Sequence, residues 1–279
     1  MYTYLSRFFF LLHRISISID KIGFINTFKI FFLSKLKKNI MYLKLSNKKF
    51  YFRPIVDHGN YSRFTFPQYT IIDDSNNRIE YIIDGGSNIG SQSIRFINKY
   101  SSTLKKIICV EPSYDNFKLL ERNLYDPRVV NLNLALASKD NQKIYVSNFN
   151  AKDIRINGKP TNVSELIKTS VNQKEFGSSF FVKSITINTI IKNYNIPRID
   201  FLKLDLNGFE EEIFKEDCSS WLKLCNSLAV NNADLNNITE NIIKQFINIK
   251  KTKIYNIDQM IILIDSKFNW TAQKEFVNK

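Results

Sequence analysis

The stretch YIIDGGSNIG, residues 81–90, decides how this chain is read. An apolar run of Tyr81, Ile82 and Ile83 ends in an acid, Asp84, and then in a turn spaced by Gly86 and Gly90. Such a run followed by glycines predicts a buried strand feeding a tight turn, with a helix opening near Asn88. In an open α/β sheet, ligands bind outside the carboxyl ends of such strands. The spacing is D-x-G-x-x-x-G. It is not the G-x-G-x-x-G in which a helix N-terminus faces a pyrophosphate. A leading carboxylate in that crevice suits a cationic ligand and lies within reach of ribose or amino-acid hydrogen-bond donors. Taken alone, the same residues also describe a plain tight turn.

Downstream of this turn, strand-like and helix-like segments alternate. Residues 81–84, 107–111, 129–136, 201–206 and 228–231 read as strands, and residues 89–100, 114–124 and 209–214 as helices. That order predicts an α/β fold with a mostly parallel sheet flanked by helices on both faces. Residues 142–146 and 180–187 read as further strands around a polar insertion, 148–179, whose Gly158, Pro160, Asn162 and Gly177 suit either a loop covering substrate or a plain surface excursion. Near the end, residues 253–257 and 260–264 predict an antiparallel hairpin turning at Asp258 and Gln259.

A chain of 279 residues that is 44% hydrophobic can bury a sizeable core. Its charge is uneven. Residues 1–60 hold eleven basic and two acidic side chains, which is nine of the fourteen excess positive charges. Residues 1–58 are therefore read as a basic, amphipathic arm with lead-in strands, and residues 59–279 as the main domain. The first apolar run, residues 8–12, meets His13 and Arg14 far short of the roughly 20 residues that span a bilayer. The arm suits packing on the main domain, docking on a partner, or peripheral membrane contact through residues 1–40. Cys109, Cys218 and Cys225 lack C-x-x-C spacing, which argues against a disulfide framework and a thiolate zinc site. Two histidines, His13 and His58, leave little for a His-based triad or a multi-histidine metal centre. A reducing, cytoplasmic location and no metal centre are the expectations.

The carboxyl ends of the other strands are also polar. Glu111 follows Lys106, Ile107, Ile108, Cys109 and Val110, where an acid suits the two hydroxyls of a ribose or else caps a helix. Pro112 ends that strand and Ser113 is a candidate N-cap. Asp205 stands near the end of an otherwise largely apolar strand, FLKLDLNG. A carboxylate there can take a proton from an acceptor hydroxyl, orient it, ligate a divalent cation, or only cap the following turn. Gly208 permits that turn, and Glu210, Glu211 and Glu212 read as structural acids favoured at a helix N-terminus.

The ordered series of Asp84, Gly86, Asn88 and Gly90, then Glu111 with Pro112, NLALAS at 133–138, TINTI at 186–190 and IDFLKLDLNG at 199–208 resembles the FkbM-type S-adenosylmethionine-dependent methyltransferases. The likeness covers residues 51–230, and Arg53, Pro54 and Asp57 look like the lead-in to that family's first strand. It implies a class I, Rossmann-like methyltransferase fold and O-methylation, often of a sugar hydroxyl in a glycan or sugar-containing metabolite. It also implies that Asp84, Gly86, Asn88, Gly90 and Glu111 hold the cofactor S-adenosylmethionine, with Ala135 near the adenine. Asp205 is then the catalytic residue, and Asn207 and Asn231 are the acceptor-binding candidates.

The chain departs from the family at acid positions. D-x-E-G becomes Asp205, Leu206, Asn207, Gly208; an acid after the next strand becomes Asn231 or Asn232; and T-L-D-D-L becomes Thr186 to Ile190, where Asn188 keeps cap chemistry. Amides cannot act as bases and are weaker ligands for a cation. Three readings follow. The first is a sugar O-methyltransferase with a small-molecule or glycan acceptor; the second is a catalytically weakened cofactor-binding subunit. The third, an RNA methyltransferase, is prompted by the basic arm, but the chain has no N-P-P-Y or D-P-P-Y turn, and lysine clusters give phosphate attraction without sequence readout.

Overall fold

The computed structural model describes residues 40–45, 48–53, 57, 68–73, 78–147, 169–170, 179–206, 209–231, 238–257 and 260–275. Residues 1–39 of the arm, most of the insertion, Asn207 and the Asp258–Gln259 turn lie outside them. The chain divides into two compact units, residues 1–68 with 275–279, and residues 69–274.

In the first unit, β1 (Met41–Leu45) and β2 (Lys48–Phe52) form an antiparallel hairpin with Met41 opposite Phe52. Period-two alternation buries Phe50 and Phe52 and leaves Lys49 exposed, its ammonium 4.8 Å from the centre of the Tyr42 ring. Arg53 and Asp57 close a turn on themselves: the Arg53 backbone N–H and Nε donate to Asp57 Oδ2 at 2.6 and 3.0 Å, and the second guanidinium arm reaches Oδ1 at 2.8 Å.

The second unit begins with β3 (Gln68–Asp73), which pairs with the last strand, β15 (Trp270–Glu275). Its centre is a seven-stranded sheet of β4 (Tyr81–Gly85), β5 (Lys106–Val110), β6 (Val129–Leu132), β11 (Phe201–Leu204), β12 (Ser227–Asn231), β13 (Thr252–Ile257) and β14 (Met260–Asp265), in the order β13-β14-β12-β11-β4-β5-β6. Strands β12, β11, β4, β5 and β6 run parallel, and the C-terminal hairpin β13-β14 adds antiparallel. Central parallel strands are covered on both faces, so their sequences are continuous apolar runs. Ile82, Ile83, Phe201, Leu202, Leu204, Leu228 and Ala229 are accordingly fully buried.

Alternation divides these side chains between two faces. Ile83, Leu202, Leu204, Leu228 and Val230 form one core with helices α3 (Ile187–Asn193), α5 (Ser219–Leu222) and α6 (Ile238–Ile249), through Ile190, Trp221, Ile242 and Phe246. On the other face Phe201 meets Phe96 of α1 (Ser91–Lys99) edge to face at 5.1 Å. Helix α2 (Tyr114–Asn123) follows β5, and the short α4 (Glu210–Ile213) follows β11.

The segments flanking the insertion, with β9 from within it, build a second sheet in the order β7-β10-β8-β9, from β7 (Ala135–Leu136), β8 (Lys143–Ser147), β9 (Thr169–Ser170) and β10 (Ser179–Ile185). The single strand expected over 129–136 is thus two strands in two sheets. Asn133 causes the break: its side-chain amide donates to the carbonyls of Glu111 at 2.9 Å and Pro112 at 3.1 Å, turning the chain out of the main sheet.

Candidate cofactor and acceptor site

The glycine turn sits on the carboxyl end of β4 and is held in left-handed backbone conformations at Gly86 (φ 72°), Asn88 (φ 52°) and Gly90 (φ 87°). Asparagine is among the few non-glycine residues that tolerate this region. Helix α1 starts at Ser91, two residues inside the range 89–100 read from the sequence, because its N-cap, Gly90, is itself left-handed. Gly86 is doubly required: a Cβ there lies 2.0 Å from the carbonyl oxygen of Asp205. The ends of β4 and β11 touch backbone to backbone.

Each N–H of the turn is already used inside the protein. Gly86 and Ser87 donate to the carbonyl of Val110 at 2.9 and 3.1 Å, Asn88 to Glu111 Oε2 at 2.8 Å, Ile89 to Asn88 Oδ1 at 2.8 Å and Gly90 to the carbonyl of Ser87 at 2.9 Å. A phosphate needs such donors. A ligand whose own groups are donors, an ammonium and ribose hydroxyls, does not. The turn offers a pyrophosphate no spare backbone donor and suits a ligand, such as S-adenosylmethionine, that brings donors of its own.

Asp84 is fully buried, where the sequence placed its carboxylate within reach of a ligand. Its oxygens face inward. Oδ2 accepts from Ser93 Oγ on α1, and Oδ1 lies 2.9 Å from the ammonium of Lys203, its register partner on β11. Of the three Lys203 ammonium donors, two meet the carbonyls of Gly85 at 3.2 Å and Gly86 at 3.0 Å, so Asp84 shares its cation with the backbone. Beneath them, burial and the neighbouring Asp84 carboxylate push the Cys109 thiol up to about 12, and it donates to Ser93 Oγ at 3.5 Å.

Glu111 ends β5 almost completely buried. Oε1 accepts from the Ser113 N–H at 2.9 Å and the Asn116 amide at 3.2 Å. Burial pushes its carboxyl up to about 7 against the pull of these neutral donors and of Asn88. Ser113 occupies the N-cap position without a side-chain cap bond, so Glu111 serves that helix end instead. In TINTI, Thr186 Oγ1 makes the cap bond from the Thr189 N–H at 3.1 Å, while Asn188 accepts from Ser220 at 3.1 Å. The cap chemistry read into Asn188 belongs to Thr186.

At the acceptor end, Asp205 is half-buried just beyond β11, and its Oδ1 accepts from the Asn231 amide at 2.8 Å. The ammonium of Lys203 stands 4.0 Å from Oδ2. Glu210 is fully buried and accepts from the Leu206 N–H at 2.6 Å, closing the turn after Asp205. Ala135 lies buried in β7 opposite Ser184, within a small core of Ala137, Ile144, Val146 and Val182. The structure thus brings together Asp84, Gly86, Asn88, Glu111, Asp205 and Asn231. Sequence reasoning missed Lys203, whose signal was a lysine inside an apolar parallel strand, and gave Ser93 and the Asn133 side chain no role.

A seven-stranded sheet with this order and one antiparallel hairpin, carrying an acid-then-glycine turn on its central strand, defines a class I methyltransferase fold. The family model for the methyltransferase FkbM domain matches residues 84–263, more than half of the chain. The chain belongs to the FkbM methyltransferase family, whose cofactor is S-adenosylmethionine. Among solved structures it is similar to an FkbM methyltransferase from Methylobacillus flagellatus, at 12% identity and a TM-score of 0.45, over 66% of this chain and 43% of that one. The chain therefore spans less than half of that relative. It is also similar to M. jannaschii TYW2 in complex with AdoMet, at 10% identity and a TM-score of 0.35, over 86% and 88% of the two chains. M. capricolum TrmK, solved with S-adenosylhomocysteine, gives 12% identity and a TM-score of 0.31, over 68% and 62%. No curated protein matches. Among the described residues, no helix is long and apolar enough to cross a membrane.

Proposed function

We propose that this protein is an S-adenosylmethionine-dependent O-methyltransferase that modifies a sugar hydroxyl of a glycan or sugar-containing metabolite, with Asp205 as its base. When bound, the cofactor supplies a methyl group made electrophilic by a sulfonium. Asn88 and Glu111 border its place at the ends of β4 and β5. Asp205 accepts the proton of the acceptor hydroxyl, and Asn231 orients the carboxylate. Alignment of the reacting groups supplies most of the acceleration in such a displacement, so one positioned carboxylate suffices.

The observation that carries this reading is the 2.8 Å bond from Asn231 to Asp205. A decayed site has no reason to keep an amide on its remaining acid, whereas an adapted one does. The bond therefore favours an enzyme over a cofactor-binding subunit. The basic, aromatic-rich segment 1–40 supports docking of this enzyme on an anionic membrane surface that carries the acceptor. The test is transfer of labelled methyl from S-adenosylmethionine to glycan precursors of the producing organism. Asp205→Asn is expected to keep cofactor affinity within about twofold and to lose about a hundredfold or more of the rate. Cofactor binding with no transfer to any such acceptor defeats the reading.

A further inference from the structure

Lys203 stands where β11 needs an apolar residue, and its side chain is 1% exposed. Burying an ammonium is costly unless it is paired and hydrogen-bonded. A structural ion pair with Asp84 is satisfied by hydrogen bonds to that carboxylate. Here the pairing is divided. The ammonium meets Asp84 Oδ1 at 2.9 Å and turns two of its three donors to the carbonyls of Gly85 and Gly86 at 3.2 and 3.0 Å. Asp205 Oδ2, just beyond the same strand, lies 4.0 Å away. One cation therefore touches both the turn that carries the cofactor and the carboxylate proposed as base.

We propose that Lys203 is a positioning residue for methyl transfer: it fixes the Gly85 and Gly86 carbonyls under the cofactor, and its ammonium anchors the Asp205 carboxylate beside it. The first half rests on the cofactor reading above; the second does not. Asp205, just beyond β11, faces this ammonium and the uncharged Asn231 amide at the end of β12; the ammonium also faces Asp84 on β4 and, at longer range, the protonated Cys109 on β5 and Glu111 just past it, with the uncharged Ser93 of α1 on the far oxygen of Asp84. Opposite charges at about 4 Å interact strongly enough in a partly buried site to move a carboxyl midpoint by about one unit. Asp84 partly offsets the lysine, so the two residues act on Asp205 with opposite signs.

The test reads the Asp205 carboxyl directly, by carbon-13 NMR titration of aspartate-labelled protein, with Asp205→Asn assigning the signal. Calorimetry with S-adenosylmethionine accompanies it. The isosteric Asp84→Asn is expected to move the Asp205 midpoint down. Lys203→Met combined with Asp84→Asn, which leaves no unpaired buried charge, is expected to move it up by about half a unit or more and to weaken cofactor binding about tenfold or more. An unchanged midpoint in both variants overturns the proposal. So does wild-type cofactor affinity in the double variant, since a mere neutraliser of Asp84 becomes dispensable once Asp84 is gone. A wild-type protein that binds no S-adenosylmethionine defeats the cofactor reading instead, and the Asp205 midpoint then decides the role of Lys203 by itself.

Discussion

The two ends of the central sheet bury acids equally well and treat them differently. At the amino end, Asp200 is fully buried and takes four donors: Glu80 N–H at 2.8 Å, Tyr81 N–H at 3.0 Å, Arg198 Nε at 2.7 Å and the Asn226 amide at 3.0 Å. One of those donors is a cation. Beside it, burial pushes Glu80 up, but Lys105 and Arg198 outweigh burial and hold its carboxyl below the ordinary value. At the carboxyl end, the donors that Glu111 accepts from are all neutral, Lys203 acts only at longer range, and burial wins. Saturated charges make the amino end a clamp. Unsettled charges make the carboxyl end receptive to a ligand that brings donors of its own.

Breaking the clamp is expected to have the largest effect. Asp200→Ala leaves Arg198 with Glu80 as its remaining counter-charge but orphans the Glu80 and Tyr81 N–H groups, at a cost of about 2–4 kcal/mol in denaturant unfolding. Cofactor affinity of the protein that remains folded is expected to stay at wild type. The receptive end gives the converse. Gly86→Ala drives a methyl into the Asp205 carbonyl at a positive φ, costing about 1–3 kcal/mol of stability. It is expected to abolish measurable calorimetric binding of S-adenosylmethionine, because relief of the clash separates β4 from β11 at the site.

The contrast also has a pH signature. The Glu111 carboxyl is raised from 4.5 to about 7 by burial, so its contribution to stability is fully present below about 4.5 and is lost as the pH rises through about 7. Ribose hydroxyls donate to the ionised form, so the cofactor favours the state that folding disfavours. Affinity for S-adenosylmethionine is expected to fall about tenfold per unit as the pH drops below about 7, with proton release on binding. Calorimetry in buffers of different ionisation enthalpy measures that release. Glu111→Gln is expected to flatten the profile; a profile unaltered by that substitution removes Glu111 from the cofactor site.

The sheet was legible because its central strands are buried on both faces and read as apolar runs, broken only by Lys203, that end in Asp84, Glu111 and Asp205. The glycine turn was legible because only glycine or asparagine accepts its backbone. What the sequence concealed is set by neighbours distant along the chain. Lys203 has meaning only opposite Asp84, and the break after β6 depends on Asn133 reaching back to Glu111 and Pro112. The inward turn of Asp84 is hidden for the same reason, since Ser93 and Lys203 arrive from different elements. Strand ends are local; the partners of buried charges are not.

The smallest effect tests whether the amide at Asn231 is an adaptation. Asn231→Asp restores an acid where the family commonly has one, and places it against the Asp205 oxygen that the amide now meets at 2.8 Å. Two carboxylates so close cannot both ionise, and the pair retains a proton that neither partner holds alone. The base is then partly neutralised at neutral pH. Methyl transfer is expected to fall about tenfold at pH 7 and to recover as the pH rises, while S-adenosylmethionine affinity stays unchanged. A rate increase on restoring the acid inverts the argument: Asn231 is then a lesion, the carboxyl end has lost its second acid by decay, and the receptive electrostatics around Asp205 belong to cofactor retention rather than catalysis.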